Sequence, residues 1–472
     1  MLQVADSDRM SGRVWGMLLV LCAAIFLEGV DVSMMGVALP AIQADLGMTT
    51  GELQWVVSAY VLTYGGFMLM GGRAADLLGR RRMFLFWLAV FMVFSGLGAF
   101  AGDGWVLILS RLVKGVAAAF LTPAGLSIIT TSFPEGRLRN KALLVYAGTA
   151  AAGFSLGLVV GGLLTTISWR WVFIAPVIMT AAILAAAIVL VPKDEPLERS
   201  SGGFDLTGAI SVTAAVLLLV LTVERSTHVS AAQTIGLLIL SAALLVLFVI
   251  TEKRSRSPLV RLGIFASGPL VRANLAAILF SGSFFAFQFI VVLYLQQLRG
   301  WSPLQTGLAL LAIGVDAVLA PTLTPWLVNR FGNVRVIFGG LVIAALAYVL
   351  FQPMAMDWTY AAMFPSMILL GLAFALVYGP LTIAATDGVS GDEQGLAGGL
   401  LNTSFQFGAG VGLAIVTAVS TAVIGGATTS AAILDGYRAA LLVPVGAAVL
   451  GALVIAVGLR RTSTQTPTLE PA

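Results

Sequence analysis

A chain of 472 residues that is 59% hydrophobic and only 10% charged, with a mean hydropathy of +1.00, lacks the charged quarter of a soluble globule and reads as an integral membrane protein. A single cysteine, Cys22, inside the first apolar run, and a single histidine, His228, in a short polar connection, exclude a disulfide framework, a thiolate metal site and a histidine-rich relay. The net charge of +4 has its source in loop topology rather than in nucleic-acid binding, and the polar start Met1 to Arg13 carries no small-residue cleavage pattern.

Apolar runs of about 20 residues, bounded by charge or turn residues, predict membrane helices near 14–37, 53–72, 83–101, 105–127, 142–164, 171–191, 205–223, 233–251, 271–295, 303–326, 334–354, 359–383, 394–423 and 437–459. The expected fold class is therefore all-α, with fourteen spans and both termini on one side. Of the 26 lysines and arginines, 20 fall in connections on the terminal side, four (Arg170, Arg225, Arg299, Arg438) on the other, and two within the fourth span. Cytoplasmic loops are enriched in these residues, so both termini are expected in the cytoplasm.

In the first span, LEGVDVSMMGVALP places Glu28 and Asp31 at membrane depth and three residues apart, hence on one helical face. Charge at that depth is costly and must be matched or used. After the second span, GGRAADLLGRRR supplies glycines for a tight turn (Gly72, Gly79), an acid (Asp76) and arginines including Arg80 and Arg81. Beyond a positive-inside anchor, this composition suits a charge latch that breaks and reforms as two halves rock. In the fourth span, SRLVKG puts Arg111 and Lys114 in the membrane, again three apart; the lysine stem could also snorkel to an interface.

The fifth span carries Gly148, Gly153, Gly157, Gly161 and Gly162, a small-residue pattern that serves close helix packing, a hinge, or both. The seventh and eighth spans have few polar residues and no internal charge. Phenylalanines crowd the ninth span, Phe284 and Phe287 among them, and some are expected to line an apolar, drug-sized cavity together with Gln288 and with Asn402 and Gln406 of the thirteenth. Asp316, about 13 residues from the outer end of the tenth span, sits near the midplane, as a structural acid or as a second coupling or substrate carboxylate. The connection WLVNRFGNVR after the tenth span is a thinner version of the one after the second, so the expected domains are a six-helix bundle over 1–191, a linker with two accessory helices over 192–260, and a second six-helix bundle with a short tail over 261–472.

With VDVSMMGVALPAI, LQWVVSAYVLTY, GRAADLLGRRR, SRLVKG, GLVVGG with SWRWVF, LYLQQLRGWSPLQTGL and GLAGGLLNTSFQFG, the whole chain resembles the major facilitator superfamily and, within it, the fourteen-span drug/proton antiporters. The resemblance implies a twelve-helix core with two accessory helices, alternating access, and proton-driven export of drug-like or antibiotic molecules. Asp31 matches the family's first-span acid, Asp76 and Arg80 its cytoplasmic loop motif, Arg111 its fourth-span arginine, and Gly157 to Gly162 its antiporter glycine motif. The chain departs from the pattern at Lys114, usually glutamine, Gly36, usually asparagine, Leu158, usually proline, and Phe405, often arginine.

Because spans one and four run antiparallel, Asp31 is expected opposite Arg111 as the proton-coupling pair and Glu28 opposite Lys114 as a second rung, with Asp316 in reserve. A proton symporter or facilitator importing a small organic solute is the competing transport reading, and Leu158 favours it. An intramembrane enzyme would need a metal cluster, a serine/histidine arrangement or a phosphate loop, and the sequence offers none of these. The expected partners are a small-molecule substrate, protons and membrane lipid, with no nucleic acid, metal or cofactor, for a monomer in the cytoplasmic membrane.

Overall fold

The computed structural model describes residues 12–133, 137–193, 206–225, 229–255, 262–386 and 394–462, and every regular element among them is helical. The first six helices are α1 (Gly12–Leu46), α2 (Thr50–Leu78), α3 (Arg80–Ala99), α4 (Gly104–Ser132), α5 (Arg137–Ile167) and α6 (Trp171–Leu190). Next come α7 (Leu206–Arg225) and α8 (Ala231–Arg254). A last set comprises α9 (Gly268–Leu293), α10 (Pro303–Leu310), α11 (Asp316–Phe331), α12 (Asn333–Phe351), α13 (Tyr360–Thr386), α14 (Gln394–Ile424), α15 (Ser430–Ala440) and α16 (Leu442–Thr462).

Local chemistry sets the boundaries. Thr49 with Glu52, Ser230 with Gln233, and Ser302 with Gln305 form capping boxes at the starts of α2, α8 and α10, each satisfying orphan backbone donors. The turns α2–α3 and α11–α12 reverse at Gly79 (φ 101°) and Gly332 (φ 81°), a backbone region closed to residues with a Cβ. These are the matching positions of the two similar sequence connections, so the resemblance between them extends to backbone conformation.

Twelve helical stretches among the described residues are long and apolar enough to cross a membrane, against fourteen expected; α2 and α7 fall outside that count. Two expected spans are broken. The tenth is divided into α10, a 3-10 turn over Leu311–Val315, and α11. The last is divided into α15 and α16, where Pro444 has no N–H to offer the carbonyl of Ala440, the residue at which α15 ends. The ninth is continued beyond α9 by a π-helical turn, Tyr294–Leu298.

In the first set α1 packs on α5 and α6, α2 on α4, and α3 on α4 and α6; in the last, α9 packs on α13, α14 and α16, and α12 on α13 and α16. The two sets meet along α2 with α14 and along α5 with α10. At the face bearing the α1–α2 turn, Gln296 donates to the carbonyl of Val37 at 2.9 Å, and Gln297 donates to Gln43 and accepts from Tyr437. Helix α7 packs against both α2 and α14, with Thr213 donating to the carbonyl of Gly66 at 2.9 Å, while α8 lies outside it, joined by Ser241 to the carbonyl of Ala215.

Candidate functional site

Three charged side chains from α1 and α4 form the most deeply buried polar group of the first helix set. Asp31, Arg111 and Lys114 are all fully buried. Arg111 Nη1 donates to Asp31 Oδ2 at 2.6 Å, Arg111 Nε donates to the carbonyl of Val56 at 2.9 Å, and its guanidinium lies 4.3 Å from the centre of the Tyr60 ring. Lys114 Nζ donates to the other oxygen, Asp31 Oδ1, and rests 4.6 Å from the Phe91 ring centre and 5.1 Å from that of Phe173. One carboxylate thus holds two cations, and aromatic faces take up the rest of their charge.

The expected second rung is not formed. Lys114 pairs with Asp31, and Glu28 accepts from Thr122 at 2.6 Å and from Tyr64 at 3.1 Å, both on Oε2, with no ion pair among the described residues. Side chains lean toward the N-terminus of their own helix, and α1 and α4 are antiparallel. The carboxylates of α1 therefore lean one way and the cations of α4 the other, which carries Lys114 up to Asp31 and Glu28 away from it. Tyr64 and Thr122 were missed from sequence. Thr122 lies eleven residues, three turns, beyond Arg111 on the same face of α4, a signal that spacing alone could have provided.

The glycines of α5 have a specific partner. A Cβ at Gly157 would stand 2.8 Å from Cα of Val30, and one at Gly161 would stand 2.6 Å from Cα of Met34; Gly153 meets the backbone of Phe26 in the same way. These three seat α5 against the stretch of α1 that bears Glu28 and Asp31. Gly162 faces the other helix set, where a Cβ would lie 2.7 Å from the carbonyl oxygen of Pro303, and Leu158 packs its backbone onto Gly307 of α10.

Asp316 stands at the break between the 3-10 turn and α11 and borders a small cavity between the two sets. Phe154, Ser155 and Leu158 of α5 line one side, and Phe284 of α9 and Phe374 of α13 the other. Phe284 borders this cavity, which is much smaller than the drug-sized one expected. Phe287 does not: it is packed inside the last set against Tyr348 and Phe351, with ring centres 5.1 and 5.2 Å away. Gln288 is buried, and its Nε2 has no hydrogen-bond partner among the described residues. Asn402 donates to the carbonyl of Gly398, and Gln406 packs its Cβ against Gly65 at the α2–α14 seam.

Of the latch residues, Gly79 makes the α2–α3 reversal, and Arg81 at the start of α3 donates to the carbonyl of Ile188 on α6 at 2.7 Å. A Cβ at Gly72 would stand in ordinary contact with Cβ of Pro123, 3.8 Å away, and Arg80 opens α3. The side chain of Asp76 lies outside the described residues.

The family model described as Major Facilitator Superfamily matches residues 21–413. A cephamycin export protein of Amycolatopsis lactamdurans is 35% identical over 85% of this chain and 84% of its own length. A puromycin resistance protein of Streptomyces alboniger is 33% identical over 94% and 90%, and the multidrug efflux pump LfrA of Mycolicibacterium smegmatis 30% identical over 88% and 83%. Among solved structures, a bacterial homologue of the human lysosomal transporter Spinster shares the fold with a TM-score of 0.69 at 17% identity, covering 96% of this chain and 98% of that one. Buried charges on antiparallel α1 and α4, glycine-mediated seating of α5 on α1, matching glycine reversals in the two helix sets and the match over residues 21–413 lead to one conclusion: the chain belongs to the major facilitator superfamily.

Proposed function

We propose that this protein exports drug-like or antibiotic small molecules across the cytoplasmic membrane in exchange for protons, by alternating access between the α1–α6 and α9–α16 bundles. The observation that carries the reading is the fully buried cluster of Asp31, Arg111 and Lys114, with Glu28 one turn away. Ionisable groups at membrane depth are expensive and are kept where ions or protons are handled. In this reading α2 and α7 also cross, giving fourteen spans with cytoplasmic termini, residues 192–260 hold the two accessory helices, and the protein works as a monomer in lipid. The seam at Gln296, Gln297, Val37 and Gln43 is the outer gate in its closed state. Asp76, Gly79, Arg80 and Arg81 form the latch on the other face.

The relatives named for cephamycin export, puromycin resistance and multidrug efflux support the export direction. The test uses inverted membrane vesicles loaded by an imposed proton gradient and a panel of puromycin, a cephamycin, lincomycin and ethidium. Gradient-dependent accumulation of at least one compound, abolished by a protonophore, is the expected result. Accumulation driven in the opposite sense would establish symport and overturn export.

Asp316 is assigned to substrate contact, because a carboxylate facing Phe154, Phe284 and Phe374 suits an aromatic compound with a basic nitrogen. Asp316→Asn is expected to lower ethidium and puromycin transport about tenfold, the order of one hydrogen-bonded charge contact, while sparing uncharged substrates. An equal loss across the panel would place Asp316 in coupling instead.

A further inference from the structure

Within the proposed proton-coupled site, we infer that Glu28, and not Asp31, is the carboxyl group that takes up and releases the exchanging proton. The inference rests on the antiport reading but assigns its proton to a residue outside the Asp31–Arg111–Lys114 cluster.

Three observations separate the two acids. The first is charge. Asp31 accepts from both Arg111 and Lys114, so a proton on Asp31 breaks two charge-assisted bonds and strands two buried cations. Among the described residues Glu28 accepts only from the neutral hydroxyls of Tyr64 and Thr122. The second is the geometry of those hydroxyls. Tyr64 Oη and Thr122 Oγ1 lie 3.1 and 2.6 Å from Glu28 Oε2 and 2.7 Å from each other, so their two protons can serve any two of the three contacts at a time. A hydroxyl both donates and accepts, so this triangle can turn its bonds around. Among the described residues Oε1 accepts from no partner, and a proton there breaks none of these bonds. The third is access. Glu28 keeps 4% of its surface open, whereas Asp31 keeps 0%, and a proton that exchanges needs a way in.

The charged and titratable groups facing Glu28 are Asp31 on its own helix, Tyr60 and Tyr64 on α2 and Tyr146 on α5, with Arg111 and Lys114 of α4 turned toward Asp31. With Glu28 ionised, the two acids and two cations sum to zero charge; with Glu28 protonated, the group carries one positive charge. Lys114, where the resembling family usually has neutral glutamine, is thus what ties down Asp31 and passes the proton-carrying role to Glu28. The route outward is short. Tyr64 adjoins Gly65, where a Cβ would stand 2.7 Å from Cβ of Gln406, so a change in its hydrogen bonding acts at the α2–α14 seam between the two bundles.

Infrared difference spectra of the full-length protein in lipid, recorded between neutral and acid pH, test the assignment. An Asp316→Asn background removes the half-buried carboxyl of the other bundle. A carboxylic C=O band that grows on acidification is expected, is lost in Glu28→Gln, and is retained at altered frequency in Thr122→Val, which keeps both acids but removes one donor. A band that survives Glu28→Gln, ignores Thr122→Val, or is absent from the background protein overturns the assignment. Should Glu28→Gln fail to fold, the Thr122→Val shift decides alone. Failure of the antiport reading is recognised separately, as wild-type proteoliposomes in which the uptake of every compound of the panel ignores the proton gradient.

Discussion

Replacing Asp31 with alanine is expected to destabilise the protein by about 3–5 kcal/mol, the range for removing one partner of a buried ion pair, and to abolish transport with it. Arg111 and Lys114 have no exposed surface on which to recover water, and both donate to the one carboxylate that would be lost. The aromatic contacts of Tyr60, Phe91 and Phe173 soften the loss without replacing a counter-ion. Exchanging Asp31 for alanine together with Lys114 for glutamine leaves a single cation and is expected to regain more than half of the stability. The measurement is the melting midpoint and monodisperse yield in detergent of wild type, both single variants and the double. If Asp31→Ala melts with the wild type, the cluster is not the keystone of α1 and α4. The Lys114→Gln single variant is the milder lesion, because Arg111 still neutralises Asp31.

Gly161→Ala is expected to lower stability by about 1–3 kcal/mol, the usual penalty for overpacking a closed contact, and to slow transport disproportionately. The new methyl group would stand 2.6 Å from Cα of Met34, and backbone cannot yield as a flexible side chain does. Either α1 or α5 must shift, and Met34 lies one turn from Asp31. Gly148→Ala is the internal control, with nothing within 4 Å of the added atom on the same helix. Thermal melts of the two variants in parallel check the prediction; equal midpoints would mean that α5 accommodates the methyl group without moving α1.

Much of the architecture was legible because hydrophobic run length and charge bias are properties of the chain itself. The apolar runs foretold most helices, the glycines after the second span foretold a tight turn there, and the likeness of the connection after the tenth span is matched by a reversal at Gly332 like that at Gly79. Interruptions inside apolar runs were not legible. The 3-10 turn before Asp316 keeps the composition of a continuous span, and what distinguishes it is a neighbour: Gly314 passes Ser155 of α5, whose Oγ lies 2.9 Å from where a Cβ would stand. For the site, residue spacing placed Glu28 and Asp31 on one face of α1 and Arg111 and Lys114 on one face of α4, but the pairing that brings both cations to Asp31 and leaves Glu28 with Tyr64 and Thr122 required knowing where side-chain tips lie. Opposite lean on antiparallel helices moved each tip by about a turn, enough to bring both cations to one acid. Phe287 illustrates the same limit, since aromatic crowding does not say which rings face a cavity and which fill a core.

If the two bundles alternate as proposed, the position of α7 has a mechanical consequence. It touches α2 of one bundle and α14 of the other, with its Thr213 hydrogen-bonded to α2 at Gly66, one residue from the α2–α14 contact at Gly65. Any rotation of the bundles must therefore slide at least one of them along α7, like a journal turning against a fixed bearing. In that cycle the hydrogen bond would hold α7 to α2 and leave α14 as the side that slips. Drag at that surface would then be set by the side chains α7 presents to α14, so in the proposed cycle this accessory helix would act on how fast the gate swings.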